Sequence, residues 1–585
     1  MSNIKEFLLC PTNLHSSSNN KLNKLFLGNW CDANQKNQKI CNYPWDNKKT
    51  LLKDYKYIFK IEKIIFKRLC KYLNDYHGVK ENNSYWKIIL GPWLTIFTQT
   101  IFERWINFQN AKKYSFKYVI NSNRNYKEFV PINFENFYKQ STTDIWNQYI
   151  YEDIFKFYLD KKFFLKKKIN KKDLDINKQN ITHIKIERKL FNVFNFLVSK
   201  IFLFRQRKYI ICESYLGKFN ELKLNLKLGF PSLTLNPVYP DIKKKLDPKR
   251  GTDKIFNTRE IKKDPFKKYL NSILLKNIPL SFLEHYVCIK NFTEKLDWPN
   301  KPKVFFTSHA LITKTICSFY LAEKKKIGCK LIHGQHGGYY GTTNFNTFED
   351  LELNVSDKYL TWGWTKPGKN KKKIIKFGIL KDKIKLTNEN KKFFLIILKS
   401  NSRYTNKIHS GTGSNNLLRY YNECESFLLH IKNEIKSNII LRRHARRHNW
   451  LAEKRICKLF NSKQVDNGNN KLIDLINKSK LVIHTYNSTG FLETLSANKP
   501  TIIFFNNDDY PINKNAQKYF SYLEKANILF YNWKEAVLFL NKNYESIDNW
   551  WNDQKTQDAR IKFCSNFAKD NNDKLNQLFR IITKV

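Results

Sequence analysis

Residues 481–506 read LVIHTYNSTGFLETLSANKPTIIFFN, from Leu481 to Asn506. An apolar, β-rich run, LVIHTY, gives way to polar Asn487, Ser488 and Thr489. Gly490 and a short helical pattern through Ala497 follow. Lys499-Pro500 stops the helix, and TIIFF starts a second apolar run. Strand, tight turn, helix, turn, strand is the unit that builds parallel sheets. The turn after the first strand falls at the carboxyl edge of such a sheet, where free helix N–H groups and the helix dipole can hold a phosphate. Asn487 or Ser488 is the expected N-cap, and Gly490 lets a ligand approach the backbone. Glu493 is not three residues after Ser488 or Thr489, so it completes no capping box with either. Its carboxylate is placed to accept hydrogen bonds from a ribose. An ordinary βαβ unit with a solvated Glu493 gives the same pattern, because fold alone does not fix function.

Working outward, residues 303–341 repeat the pattern. VFFTSH is a strand, 312–327 a helix, and CKLIHGQHGG a strand running into a glycine turn. KYLTWGW and KIIKFGIL follow as short strands, and KKFFLIILKS (391–400) starts a fresh one. NIILRRH, LVIHTY and TIIFF come after it, with helices near 414–435, 450–460, 471–478 and 513–526. The boundary between two α/β units falls near 378–391. The expected organisation is an N-terminal α/β domain over 1–380 with helical insertions, a C-terminal α/β domain over 381–545, and closing helices over 546–585. The fold class is therefore α/β with two Rossmann-like, doubly wound domains facing a cleft.

In the first half, 6–11 and 24–31 read as a strand pair. Residues 50–75 have helical periodicity. Residues 85–105 are strongly apolar but carry Lys87, Gln99, Glu103 and Arg104, so they predict a buried helix beginning near Pro92 rather than a membrane span. Residues 160–190 and 236–267 read as basic loops, the former holding Asp173-Leu174-Asp175.

Aromatics make up 15% of the chain, too much large apolar surface for a disordered protein. The formal charge is +54. It suggests an anionic partner, but the lysines are spread among Asn and Ile along the whole chain, as A/T-rich coding would leave them. Only clustered basic residues count as evidence. The 11 cysteines are odd in number and never spaced CxxC, which fits reduced thiols. No apolar run reaches the ~18 residues of a membrane helix. The expected location is the cytoplasm, with peripheral contact at an anionic membrane face left open.

Two stretches carry chemistry. In HGQHGGYYG (333–341), glycines after a strand open the backbone toward a cleft, and a histidine of near-neutral pKa suits proton transfer from a hydroxyl. His336 is the catalytic candidate, with Gln335 beside it and Gly337 and Gly338 as loop candidates. His333 and His336 could also bind metal, but no third ligand lies at a suitable spacing. In ILRRHARRHNW (440–450), Arg442 and His444 stand immediately after a strand, where Arg can neutralise a leaving diphosphate. Arg403, in the first loop of the second unit, is a weaker candidate. The GTG at 411–413 lacks the spacing of a dinucleotide or P-loop motif.

LFLGNWC, YPWD, YWKIILGPWL, FERW, DIWN, GQHGGYYG, YLTWGW, LRRH, NSTGFLETLSANKP and the closing Trp550-Trp551 helix together resemble one family of transferases associated with bacterial surface-polysaccharide gene sets. The paired units resemble GT-B glycosyltransferases. One departure is His444-Ala445-Arg446, where such relatives carry an Arg-aromatic-Pro type sequence. The resemblance implies a nucleotide-sugar donor in the C-terminal unit, a glycan or lipid-linked acceptor in the N-terminal unit, and no cofactor or metal. Ser488, Thr489 and Gly490 would hold the donor phosphate, Arg442 and His444 would add to that site, Glu493 would hold the ribose and His336 would be the base. The alternatives are polyol-phosphate transfer on a related fold, and a nucleic-acid-binding protein. Aromatics set in apolar runs rather than alternating with Lys and Arg argue against the last.

Overall fold

The structure is a computed structural model. It describes residues 7–15, 22–31, 39–166, 206–229, 239–366 except 244, 368, 371–387, 391–408, 413, 415–446, 448 and 450–585. Asp173-Leu174-Asp175 and the start of the GTG segment lie outside the described residues.

Among the described residues the strands form three sheets, and every pairing is parallel. The first sheet contains β1 (Phe7–Cys10), β2 (Asn23–Phe26), β3 (Lys39–Ile40), β4 (Tyr118–Asn121) and β5 (Phe164–Lys166), in the order β3-β2-β1-β4-β5. The second contains β6 (Tyr209–Ile211), β7 (Val304–Thr307), β8 (Lys330–Gly334), β9 (Lys358–Thr361) and β10 (Ile374–Lys376), which neighbour one another in chain order. The third contains β11 (Phe393–Ile397), β12 (Ile439–Arg442), β13 (Val465–Asp466), β14 (Ser479–His484), β15 (Thr501–Phe504) and β16 (Leu529–Phe530), in the order β13-β12-β11-β14-β15-β16. Strand order reverses between β1 and β4, and again between β11 and β14. Such a switch point opens a crevice at the carboxyl edge where open α/β sheets bind ligands. The parallel α/β reading holds. Within the first 380 residues the strands divide into two sheets.

Helix α1 (Lys48–His77) covers the predicted 50–75 stretch. Helix α2 (Asn83–Ala111) begins nine residues before Pro92, with the Asn82 side chain accepting from Tyr85 N. The expected start at Pro92 is thus corrected. The proline lies inside the helix and removes one backbone donor. Packing on every side holds the segment helical: Leu90, Trp93, Phe97, Ile101 and Phe108 are fully buried. A helix apolar all round belongs in a core. Its buried Glu103 and Arg104 pair with each other, Arg104 Nε donates to Asn147 Oδ1 at 2.7 Å, and Asn107 Nδ2 donates to Glu103 Oε1 at 2.8 Å. Among the described residues no helix is long and apolar enough to cross a membrane.

The third sheet's unit is tied to both others through its carboxyl edge. Asn29 N donates to Asn415 Oδ1 at 3.1 Å, and Ile408 N to Gln99 Oε1 at 2.8 Å. Asn513 Nδ2 donates to Gly341 O at 2.8 Å. The chain end forms three helices, Ile547–Asn552, Gln554–Phe567 and Lys574–Lys584. The last returns to the second sheet, where Leu578 and Ile582 join Val304, Phe306, Ile332 and Leu360 in one apolar cluster.

Candidate active site

The turn after β14 forms as its residues dictate. Ser488 is the N-cap of the helix Thr489–Ser496, and its side chain accepts from Phe491 N at 3.3 Å. A Cβ on Gly490 would stand 3.3 Å from His484 Cε1, so the close neighbour this glycine accommodates is the fully buried His484 ring. Thr489 Oγ1 accepts from Gly338 N at 2.8 Å, which brings the turn after β8 against this helix N-terminus. A Cβ on Gly338 would lie 2.7 Å from the Ser488 carbonyl, and one on Gly337 would lie 3.5 Å from Thr489 Oγ1. His336, Gly337, Gly338, Ser488, Thr489 and Gly490 therefore share one place. Glu493 is one turn further along the same helix, paired at 3.0 Å with Lys381.

Gln335 is fully buried and braces the turn. Its Oε1 accepts from Trp362 N at 2.9 Å and Trp364 Nε1 at 2.8 Å, and its Nε2 donates to Gly337 O at 2.7 Å. With its amide committed in this way, it positions the turn rather than facing a substrate.

His336 is mostly buried. Its Nε2 is 3.3 Å from Tyr340 OH and its Nδ1 3.6 Å from Glu352 Oε1. Burial, then the neighbouring His309 and His333, lower its pKa to about 3, so the imidazole is neutral. His309 lies beside it, ring centres 5.4 Å apart, and its Nε2 is 3.1 Å from Glu213 Oε2. Glu352 is fully buried, with Tyr340 OH donating at 3.0 Å and Tyr359 OH at 2.9 Å. Burial raises its pKa well above the usual carboxylate range. Three non-glycine residues around this edge hold positive φ: Glu213 at 51°, Tyr215 at 65° and Tyr339 at 87°. Such backbone costs about 1–3 kcal/mol each and collects at functional sites.

His333, His336 and Glu352 have ligand atoms within 4.8 Å of one another. Glu352 is the third group that local spacing did not supply. The groups already have protein partners, since His333 Nε2 is 2.5 Å from Ser308 O and both Glu352 oxygens accept tyrosine hydroxyls. A cation would have to displace those bonds, so the donor set fits a metal poorly.

At the switch point of the third sheet stand two residues that sequence reasoning did not assign to ligand binding. Asn487 is buried, and neither its Oδ1 nor its Nδ2 has a hydrogen-bond partner. A buried amide without partners is costly unless a ligand or water satisfies it. Lys399 lies two residues past the end of β11, across the crevice. Its Nζ donates to Tyr510 OH at 2.8 Å and lies 5.9 Å from the Tyr486 ring centre. Burial lowers its pKa to about 7.

Arg442, His444 and Arg403 are placed elsewhere. β12 is separated from β14 by β11, and Arg442 turns away to pair with Asp466 of β13 and to donate to Asn470 O at 2.9 Å. His444 is exposed, its Nδ1 accepting from Arg446 N at 3.0 Å. Arg403 is buried, pairs with Asp144 and donates to Trp30 O at 3.4 Å, tying the third unit to the first.

Fold and site together define a parallel α/β protein in which a histidine-bearing glycine turn from one unit meets a helix N-terminus from another. The family model described as LIC12162 family transferase matches residues 7–582. The chain belongs to that family and is a transferase. A search of curated protein sequences finds no match. Among solved structures, the wall teichoic acid polymerase TagF is similar at 12% identity and a TM-score of 0.30, over 68% of this chain and 92% of that one. MurG of Acinetobacter baumannii is similar at 12% identity and a TM-score of 0.33, over 65% and 100%. A glycosyltransferase of Rickettsia africae is similar at 12% identity and a TM-score of 0.31, over 69% and 96%.

Proposed function

We propose that this transferase is a GT-B-like glycosyltransferase that moves a sugar from a nucleotide-activated donor to a hydroxyl of a surface glycan or its lipid-linked precursor. The observation that carries the reading is the contact of Gly338 N with Thr489 Oγ1, because it sets a neutral imidazole beside a helix N-terminus at a sheet's switch point. The donor diphosphate lies in the crevice between β11 and β14. The N–H groups that open the helix, the Asn487 amide and the Lys399 ammonium face its charge. Glu493 holds the ribose.

In an inverting transfer, His336 takes the proton of the acceptor hydroxyl. The acceptor oxygen forms a bond to the anomeric carbon, and the bond from that carbon to the donor phosphate oxygen breaks. The nucleoside diphosphate leaves with the electron pair, its added charge met by Lys399 and the helix dipole. The reaction needs no metal, since protein cations and N–H groups supply the positive charge.

The test combines thermal shift and product analysis. A UDP, GDP, CDP, CMP or dTDP sugar that stabilises the fold names the donor class by mass action. With that donor, His336→Ala should abolish turnover and keep nucleotide binding, and Glu493→Ala should weaken binding. Wild-type kinetics in both variants, or a product that retains the donor's phosphate, would overturn the reading.

A further inference from the structure

The outward face of α1 is a row of lysines. Its inward face, Ile58, Ile61, Ile65, Leu69 and Leu73, is buried. Opposite stand Lys49, Lys53, Lys56, Lys60, Lys63, Lys67 and Lys71, every one exposed. At about 100° per residue these fall within an arc of roughly 80°. Every position of that arc between 49 and 71 is lysine. At about 1.5 Å per residue the row is about 33 Å long.

A lysine-rich composition does not produce this arrangement alone, because carboxylates would fall into the arc as well. The acids of this helix lie off it. Asp54 is buried against Trp45, Glu62 turns inward to Gln99 and Thr95, and Asp75 follows the last lysine of the row. None of the seven lysines forms an ion pair among the described residues.

Two apolar side chains flank the row. Leu52 is 45% exposed and Phe59 is 42% exposed, and Lys63 Nζ lies 4.1 Å over the Phe59 ring. The far end of the row runs into a surface pocket of about 380 Å³ lined by Lys67, Lys71 and Lys80 with Asn74, Asp75 and Glu81. The near end meets the junction of the units. Lys48 pairs with Asp508, and Tyr55 stacks on Phe345 at 4.3 Å, in the segment that follows the candidate turn.

We propose that this face of α1 rests on an anionic lipid bilayer. A long, single-sign row on one exposed helix face matches a surface of negative headgroups, and long lysine stems keep their charges at the headgroup level while covering apolar surface. Leu52 and Phe59 enter the acyl boundary, which no duplex exterior offers. The test of this face uses neither donor nor acceptor.

The experiment is co-sedimentation of the full chain with vesicles of phosphatidylcholine alone or mixed with phosphatidylglycerol, at low and high salt. Wild-type protein should bind the phosphatidylglycerol vesicles, and salt should weaken that binding. The variant Lys53→Glu/Lys56→Glu/Lys60→Glu/Lys63→Glu should lose at least about tenfold in affinity with an unchanged melting temperature. An equal charge change on exposed lysines of the third unit, Lys454→Glu/Lys458→Glu/Lys463→Glu/Lys471→Glu, should lose much less. Leu52→Ser/Phe59→Ser should weaken binding at constant charge. The proposal is overturned by no preference for phosphatidylglycerol, by equal losses in the two quadruple variants, or by tight binding of short duplex RNA through the same four lysines in place of vesicles.

Discussion

Gly338 N donates to Thr489 Oγ1 at 2.8 Å, so two turns 151 residues apart in sequence touch through backbone and hydroxyl. The catalytic reading depends on that approach. Gly338→Ala places a methyl 2.7 Å from the Ser488 carbonyl carbon and oxygen and 2.8 Å from Thr489 N. All three are backbone atoms, so relief requires the units to part. Overpacking of this kind costs about 1–3 kcal/mol. Gly338→Ala should melt at a lower temperature and lose turnover by more than tenfold, about the factor that 1.4 kcal/mol represents. Wild-type melting and turnover would show that the two turns need not meet.

Lys399 gives a pH signature for donor binding. Its pKa is lowered to about 7 by burial, so near pH 8 the free protein holds this side chain mostly neutral. A diphosphate favours the ammonium and raises the pKa, so binding takes up a proton. Calorimetry in buffers of different ionisation enthalpy should find uptake approaching one proton near pH 8 and falling toward zero at pH 6. Donor affinity should rise as pH falls across that window. Lys399→Met should remove both effects, and their persistence in the variant would place the phosphate elsewhere.

Arg442 should behave as a stability residue. Its guanidinium meets Asp466, which is 6% exposed. Arg442→Ala leaves that carboxylate without its cation, a loss of about 3 kcal/mol or more for a buried pair. The fall in melting temperature should be large, and the KM for donor at a permissive temperature should be close to wild type. The double variant Arg442→Leu/Asp466→Leu should recover most of the stability. A donor KM raised at least tenfold in a stably folded Arg442 variant would return this residue to the phosphate site.

What could be read from residues alone follows from how local each signal is. The β14–helix–β15 unit is written in consecutive letters: an apolar run, a Ser cap, a glycine, a helix and a Lys-Pro stop. The glycine turn after β8 is equally local. Glu352 escaped because a glutamate in TFEDLELNV reads as a solvated face, and only the tertiary fold turns it inward to Tyr340 and Tyr359. The Glu213–His309 pair joins two strand ends 96 positions apart, which no spacing rule reaches. Arg442 and His444 drew attention for standing after a strand, yet Asp466 of the next strand claims the arginine. Pro92 suggested a helix start because proline suits a first turn, but the burial of α2 on all sides outweighs the lost hydrogen bond.

The buried histidines set an acid limit on the fold. Burial lowers His333, His336 and His484 each to about 3. Unfolded, each titrates near 6.5, so between pH 6.5 and about 3 the unfolded chain holds protons that the folded chain does not. Stability from these groups is complete above pH 6.5 and is lost as pH falls, by about 1.4 kcal/mol per pH unit for each imidazole. Glu62 opposes them. Burial raises it to about 8, so the folded chain holds the extra proton between pH 4.5 and 8. The test is therefore a difference between variants. His484→Gln can keep a hydrogen bond to Thr494, whose Oγ1 is 3.1 Å from His484 Nε2, and it removes one titrating group. Denaturant melts at pH 5 and pH 6 should show a stability slope shallower than wild type by about one proton. Equal slopes in the two proteins would mean that the His484 ring is already charged in the folded state, and that the space under Gly490 is open to water.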